Sequence, residues 1–318
     1  MPDETCNLPP LEPAAGDPLA ADGEPSGSVP PAGLVLVPTP IGNLGDITMR
    51  ALSVLRAADL ALCEDTRTTA RLFSAYGIAA RLAALHEHNE DARIAGVLAL
   101  LGEGRRVALL SDAGTPLLSD PGYRLVRAAI AAGLPVTALP GANAAVLALV
   151  LSGLPPQPFL FAGFPPPRQA ARRAMLARLR AAERAGLSAT LLFYEAPHRL
   201  AETLADLAAV FGTRPAAVAR ELTKRFEEVR RGPLPDLAAH YAEQPARGEI
   251  TVVVGPPGEE APDEADLDAR LRTALATRSV KQAVAQVAAE TGLPRRQVYA
   301  RALALNAGPC PAGREDAC

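Results

Sequence analysis

The sequence predicts an α/β protein: two α/β blocks in succession, followed by a small helical module. Three observations carry this. Short apolar runs of strand length break three times into turns bearing glycine, and each turn leads into a helical pattern. Strand-length and helix-length segments alternate from Leu34 to about Leu151, the rhythm of a doubly wound parallel sheet. Past the cluster Pro155-Pro156-Gln157-Pro158 the alternation resumes, and from residue 268 it gives way to helical spacing alone.

In chain order, residues 1–33 carry six carboxylates, no Lys or Arg and much Pro, Gly and Ala. They read as a disordered extension, not a secretory signal. The first block, 34–154, has strands over 34–37, 59–63, 107–110 and 136–139, with helices near 48–57, 67–75, 90–101 and 122–132. The second block, 155–257, opens with a strand at Phe159–Ala162. An arginine-rich helix follows from Gln169 to Ala185, and Arg168, Arg172, Arg173, Arg178, Arg180 and Arg184 there face Glu183 alone. Such a helix reads as a phosphate-binding surface. A strand at Ala189–Tyr194, a helix at Pro197–Phe211, a strand at 216–219 and a strand at Glu249–Val254 complete the block. An acidic linker, 258–267, precedes the module at 268–305, and 306–318 form a tail. In the module Leu267, Leu271 and Leu275 have helical spacing, and Ala283, Val284 and Val287 make a second apolar face. Thr291-Gly292-Leu293-Pro294 is a turn before a third helix. With Arg295, Arg296 and Arg301 exposed, the unit resembles a helix-turn-helix, or a three-helix packing module with a basic solvated face.

Composition narrows the function. At 318 residues, 49% hydrophobic and 21% charged, the chain suits a globular protein with a full core. Its longest apolar run, about Ala144 to Leu151, is too short to span a bilayer, so no membrane partner is expected. Cys6, Cys63, Cys310 and Cys318 form no C-x-x-C pair, which argues against a disulfide framework or zinc site and for a reducing cytoplasm. The net charge of −3 conceals two acidic segments, 1–33 and 258–268, with six carboxylates each; without them the rest stands at about +9. That balance is compatible with a nucleic-acid partner. Lys224 and Lys281 are the only lysines in a chain that otherwise uses arginine.

Three turns carry the chemistry. Pro38-Thr39-Pro40-Ile41-Gly42-Asn43-Leu44-Gly45-Asp46 follows the first strand. Ser111-Asp112-Ala113-Gly114-Thr115-Pro116 opens a run ending in Ser119-Asp120-Pro121-Gly122, and Pro140-Gly141-Ala142-Asn143-Ala144 is the third. Singly each is an ordinary strand-to-helix turn. Together they favour one composite crevice at the carboxyl edge of a sheet. The chain has no G-x-x-x-x-G-K-[ST], so the crevice suits a small, uncharged or cationic ligand and not a triphosphate. His86-Glu87-His88-Asn89-Glu90 lacks H-E-x-x-H spacing and reads as a helix opening or a loop facing RNA, with no metal expected.

These turns, with Cys63-Glu64-Asp65-Thr66-Arg67-Thr68, Tyr194-Glu195-Ala196-Pro197-His198-Arg199 and Arg220-Glu221-Leu222-Thr223-Lys224, occur in an order that resembles the bacterial 16S ribosomal RNA cytidine 2′-O-methyltransferases. That family belongs to the tetrapyrrole-methylase-like class of S-adenosylmethionine-dependent transferases. The resemblance runs from about Leu34 to Gly255, and the helical module resembles the family's C-terminal domain. It implies two α/β domains of the tetrapyrrole methylase type with S-adenosyl-L-methionine in the cleft between them, and a homodimer. It also implies methylation of a ribose 2′-hydroxyl of one cytidine in the decoding region of 16S rRNA, within the small ribosomal subunit.

On that basis the cofactor is expected against Pro38, Ile41, Gly42, Asn43 and Leu44, against Ser111, Asp112, Ala113, Gly114 and Thr115, and against Gly141, Ala142 and Ala144. Glu64 or Asp65 would act as base or ribose anchor and Arg67 as a phosphate or carboxylate clamp; alternatively the two acids merely begin a helix. His198 either takes a proton or stands at a helix start. Arg199, Arg220, Lys224, Arg225, Lys281, Arg295 and Arg296 are the RNA-backbone candidates, although Glu221, Glu227 and Glu228 can pair with some of them. Two other readings compete: a methyltransferase of the same class acting on a tetrapyrrole or other small molecule, and a non-catalytic ribosome assembly factor. The basic module argues against the first.

Overall fold

The computed structural model describes residues 32–258, 264–291 and 295–306. The stretch 1–31, part of the acidic linker, the turn residues 292–294 and the tail from 307, with Cys6, Cys310 and Cys318, lie outside the described residues.

The first lobe runs β1 (Gly33–Val37), α1 (Met49–Ala57), β2 (Leu60–Cys63), α2 (Thr66–Tyr76), β3 (Leu82–Ala84), α3 (Glu90–Gly102), β4 (Arg106–Leu110), α4 (Tyr123–Ala131), β5 (Val136–Ala138) and α5 (Ala144–Ser152). All five strands are parallel, in the order β3-β2-β4-β1-β5, with Leu34 of β1 beside Val107 and Val136. The strands are apolar at nearly every position because both faces are covered. Val35, Val37, Ala61, Cys63, Ala108 and Leu110 pack on α1 and on Phe73 of α2. Leu34, Leu36, Leu62, Val107 and Leu109 pack on α3 and α4 through Val97, Leu101, Leu125 and Ala129. This is the doubly wound arrangement that the alternation predicts.

The second lobe runs β6 (Phe159–Phe161), α6 (Gln169–Arg184), β7 (Thr190–Glu195), a short 3-10 turn (Pro197–Arg199), α7 (Leu200–Phe211), β8 (Pro215–Arg220), β9 (Glu228–Pro233), α8 (Leu234–Glu243) and β10 (Ile250–Val254). Its sheet is mixed, in the order β6-β7-β10-β8-β9, and β6–β7 is the parallel pair. Side chains alternate between faces as the pleat requires. Leu191, Phe193, Ala216, Val218, Val252 and Val254 meet α6, α7 and α8. Leu192, Ala217, Ala219 and Val253 instead meet Ala145, Ala148 and Leu149 of α5. The last helix of the first lobe thus covers the inner face of the second sheet.

Three elements exceed the sequence reading. β3 is only three residues long, β9 is an edge strand reading Glu-Val-Arg-Arg-Gly-Pro without apolar alternation, and α8 follows it directly. The arginine-rich helix α6 is also corrected. Arg172 is fully buried, its Nε donating to Asp206 at 2.7 Å, and Arg173 bonds the same carboxylate at 2.6 Å. Arg180 meets the buried Glu183, which also holds Arg214 in two bonds of 2.7 and 2.8 Å. The neutralising carboxylate Asp206 comes from α7, more than thirty residues downstream, beyond any local charge count. Arg168, Arg178 and Arg184 remain exposed.

α9 (Glu264–Leu275), α10 (Val280–Thr291) and α11 (Arg295–Asn306) form the third unit, and α9 opens inside the stretch read as linker. Leu267, Leu271, Val284, Val287, Val298 and Ala302 share its core. Ser279 and Gln282 start α10 as a capping box: the Gln282 N–H donates to Ser279 Oγ at 3.4 Å and the Ser279 N–H to Gln282 Oε1 at 3.3 Å. Arg301, expected to be exposed, instead closes a two-bond pair with Asp268 at 2.6 and 2.9 Å, tying α11 to α9.

Candidate active site

β4, β1 and β5 are neighbours, so the three glycine-bearing turns leave adjacent strands at one edge of the sheet. They are cross-braced there. Thr39 and Gly114 exchange backbone bonds of 2.9 and 3.0 Å, Thr39 Oγ1 donates to the Ser111 carbonyl at 3.1 Å, and Ser111 Oγ donates to the Gly114 carbonyl at 2.8 Å. Thr115 Oγ1 donates to the Ala142 carbonyl at 3.0 Å, joining the second turn to the third. A Cβ on Gly141 would lie 2.5 Å from Pro38 Cβ, so the first and third turns touch where only glycine fits. Gly42 lies against the Lys224 side chain, which brings the first turn to the second lobe.

A cavity of about 260 Å3 opens at this junction. Ile41, Asp112, Ala113, Gly114, Thr115, Leu118, Ser119, Asp120 and Ala144 line it from the first lobe. Phe164, Tyr194, Glu195, Ala219, Leu222, Glu249, Ile250 and Thr251 line it from the second. Of the expected cofactor residues, Ile41, Asp112–Thr115 and Ala144 form the wall. Pro38, Gly42, Ser111, Gly141 and Ala142 brace the turns outside the lining. Asn43 caps the 3-10 turn Leu44–Asp46, accepting the Gly45 N–H at 3.0 Å. Leu44 is 49% exposed, and its carbonyl accepts the Tyr76 hydroxyl.

The expected acids stand close by but outside the lining. Asp65 caps α2, accepting the Arg67 N–H at 2.8 Å, and pairs with the Arg67 guanidinium at 2.8 Å. These bonds lower its carboxyl to about 2. Helix initiation is therefore what Asp65 does in the fold, and the exposed Arg67 is held beside it. Glu64 is raised by burial, then by the nearby Asp112 and Glu87. Asp120, in the segment Ser119-Asp120-Pro121-Gly122, carries no sequence signal of its own. Burial, then Glu64 and Asp112, pushes it up to about 6. Only distant neighbours create that environment, so no local pattern could mark it.

The basic candidates divide in two. Arg199 is mostly buried and pairs with the buried Glu195. Arg220 bonds Glu228 at 2.7 Å, and Lys224 bonds Glu221 at 2.9 Å and Glu249 at 3.1 Å. Arg225, Lys281, Arg295 and Arg296 are exposed, and Arg225 lies over the ring of the exposed Phe226, 5.5 Å from its centroid. His198 is exposed and does not line the cavity. Glu90, at the end of the histidine-bearing segment, accepts the Leu125 N–H at 2.9 Å and so caps α4. Among the described residues no group of three or more His, Cys, Asp or Glu is arranged to hold a metal ion, and no helix is long and apolar enough to cross a membrane.

Two α/β lobes close on a cavity at the carboxyl edge of a parallel sheet, the place where such sheets hold a small ligand. The family described as Tetrapyrrole (Corrin/Porphyrin) Methylases matches residues 33–238, and the RsmI C-terminal HTH domain matches 261–306. Proteins named ribosomal RNA small subunit methyltransferase I are similar along most of the chain. That of Micromonospora olivasterospora is 53% identical, covering 84% of this chain and 85% of the relative. That of Escherichia coli O157:H7 is 45% identical, covering 85% and 94%. Among solved structures, uroporphyrin-III-C-methyltransferase of Thermus thermophilus is similar at a TM-score of 0.50 and 25% identity over 70% of this chain and 94% of that one. A diphthine synthase shares the fold at a TM-score of 0.55 and 16% identity, over 70% and 89%. The chain belongs to the tetrapyrrole methylase family, in the branch of ribosomal RNA small subunit methyltransferase I.

S-adenosyl-L-methionine is the methyl donor of this family. The residues present fit it. The lining contains four carboxylates, hydroxyls and apolar groups but no Lys, Arg or His, which suits a cationic sulfonium nucleoside without phosphates. Gly114 holds φ +80°, and a Cβ there would press on Ile41 at 3.2 Å, so backbone and not side chain faces the ligand space.

Proposed function

We propose that the chain methylates the ribose 2′-hydroxyl of one cytidine in 16S rRNA, in the decoding region of the assembled small subunit. The single observation that carries this is the cavity, which both lobes build and no cation lines, in a chain whose relatives bear an rRNA methyltransferase name. When bound, S-adenosylmethionine supplies an electrophilic methyl carbon on sulfonium. Ile41, Asp112, Ala113, Gly114, Thr115 and Ala144 would hold it, on turns kept in register by Pro38, Ser111, Gly141 and Ala142. Most of the rate gain expected of the protein is positioning: the rigid wall presents one donor orientation to an incoming hydroxyl.

The RNA is gripped by shape and charge. Arg67, fixed at the start of α2 by Asp65, and Arg225 on the Phe226 ring present guanidinium groups beside the cleft elements. Lys281, Arg295 and Arg296 on the helical module, with Arg168, Arg178 and Arg184 on α6, extend the basic surface. The lobes 34–154 and 155–257 and the C-terminal module act together, as a homodimer in the cytoplasm. To test the activity, purified protein is incubated with labelled methyl donor and small subunits that lack the modification. The expected product is one 2′-O-methylcytidine, scored by a backbone position that resists alkaline cleavage. Label on a base, on protein or nowhere refutes the proposal.

A further inference from the structure

Four carboxylates line the cavity, and three are committed to other groups. Asp112 Oδ1 accepts the Asp65 N–H at 3.1 Å. Glu195 accepts the Thr203 hydroxyl at 2.5 Å and the Ala196 N–H at 2.7 Å, and pairs with Arg199. Glu249 pairs with Lys224 at 3.1 Å. Asp120 differs: among the described residues no hydrogen-bond donor or cation engages its carboxylate.

The backbone that presents Asp120 is unusual as well. Leu117 and Ser119 have φ of +73° and +71°, a region that side-chain-bearing residues rarely adopt. Two such residues within three positions persist only where the surroundings enforce them, and they cluster at working sites. The second lobe comes close to this loop. Ser119 Oγ lies 3.6 Å from where a Cβ on Gly163 would be, next to the cavity-lining Phe164. The loop thus lies near the opposite wall of the cavity, with Asp120 following at once.

We infer that Asp120 is the proton acceptor of the transfer reaction. The inference rests on the function proposed above. As the 2′-hydroxyl oxygen forms its bond to the methyl carbon, the carbon–sulfur electron pair remains on sulfur and the hydroxyl proton passes to an Asp120 Oδ. One positive charge on sulfur and one negative charge on the carboxylate disappear together, so the step needs no other reactant. The groups facing Asp120 suit the role. Glu64 beyond β2, Asp112 beyond β4, and Tyr194, Glu195 and Glu249 across the cavity supply no positive charge, and burial strengthens the carboxylate as a base.

The test uses the full chain with Asp120→Asn and Asp120→Glu. Donor affinity is measured by calorimetry and particle binding by sedimentation. Single-turnover methylation of unmodified small subunits is followed from pH 5 to 9, and the Asp120 carboxyl is titrated by carbon NMR in the ligand-free protein. The rate of Asp120→Asn should fall by about a hundredfold or more, with donor and particle affinities within about threefold of the parent. Asp120→Glu should restore part of the rate. The parent rate should rise with pH to a plateau, at a midpoint no higher than that of the ligand-free carboxyl, because the bound sulfonium cation favours the carboxylate. A rate for Asp120→Asn near the parent's overturns the inference, and so does a loss matched by an equal loss of donor affinity, which would make Asp120 a sulfonium anchor. A parent that methylates no particle overturns the proposed function and this inference with it.

Discussion

Gly141→Ala tests whether the three turns form one rigid frame. The added Cβ would lie 2.5 Å from Pro38 Cβ and 2.9 Å from Pro38 Cγ, against a comfortable carbon–carbon separation of about 3.5–4.0 Å. The proline ring cannot rotate away, so the third turn must retreat by about 1 Å. Overpacking of this kind costs about 1–3 kcal/mol. The same retreat would stretch the bond from Thr115 Oγ1 to the Ala142 carbonyl, now 3.0 Å, past hydrogen-bonding range and add about 1 kcal/mol. The sum, about 2–4 kcal/mol, should lower the Tm by roughly 4–16 °C for the two lobes, 34–257, unfolding as one unit. Donor affinity, measured by calorimetry, should fall at least tenfold (about 1.4 kcal/mol). Gly96→Ala is the control. A Cβ there meets nothing within 4 Å and the site is in α3, so it should gain up to about 1 kcal/mol without touching donor affinity. If Gly141→Ala keeps both Tm and affinity, the turns are not a coupled frame and the account of the cleft is wrong.

Other outcomes follow from the same contacts. Arg172→Met leaves Asp206 buried with the half-exposed Arg173 and a long 3.4 Å bond from Gln169. It should cost about 3 kcal/mol in urea unfolding, most of it recovered in the double variant with Asp206→Leu. Asp120 is raised in the fold from 3.8 to about 6, so the native state holds its proton more tightly than the unfolded chain. Its stabilising contribution is complete below pH 4 and is lost as pH rises through 6. Asp120→Asn should therefore be the more stable protein at pH 7.5, by about 1–2 kcal/mol after discounting for partial exposure, and should show no such advantage at pH 4; the reverse trend would refute the assignment. Removing residues 261–318 should weaken particle binding and flatten its salt dependence, while calorimetry shows unchanged donor affinity.

What the sequence made legible were features written locally. The turns after β1, β4 and β5 announce themselves by apolar runs ending in Gly, Pro and Asn, and their convergence follows from one rule about sheet edges. β3 was too short to register, and β9 carries arginines where alternation would be sought. The errors about charge have one cause. Arg172 and Arg301 looked solvent-facing because Asp206 and Asp268, which neutralise them, are thirty-three or more residues away in sequence. Asp120 was passed over for the complementary reason: its lack of a partner arises in three dimensions, and a lone Asp before Pro-Gly reads as turn chemistry.

Seating α5 on the far sheet ties the fate of one half of the molecule to the other. Swinging the halves widely apart would wet Leu192, Ala217 and Val253, so the cleft should open by small slides of the rim and not by a wide gape. The same helix joins the second sheet to the turns of the first lobe. A bulkier side chain at Ala217 would push on Ala145 and Ala148, and the thrust would reach Asn143, whose Nδ2 donates to Thr115 Oγ1 at 3.5 Å. Substitutions deep in the second sheet can thereby retune the donor pocket without ever touching what it holds.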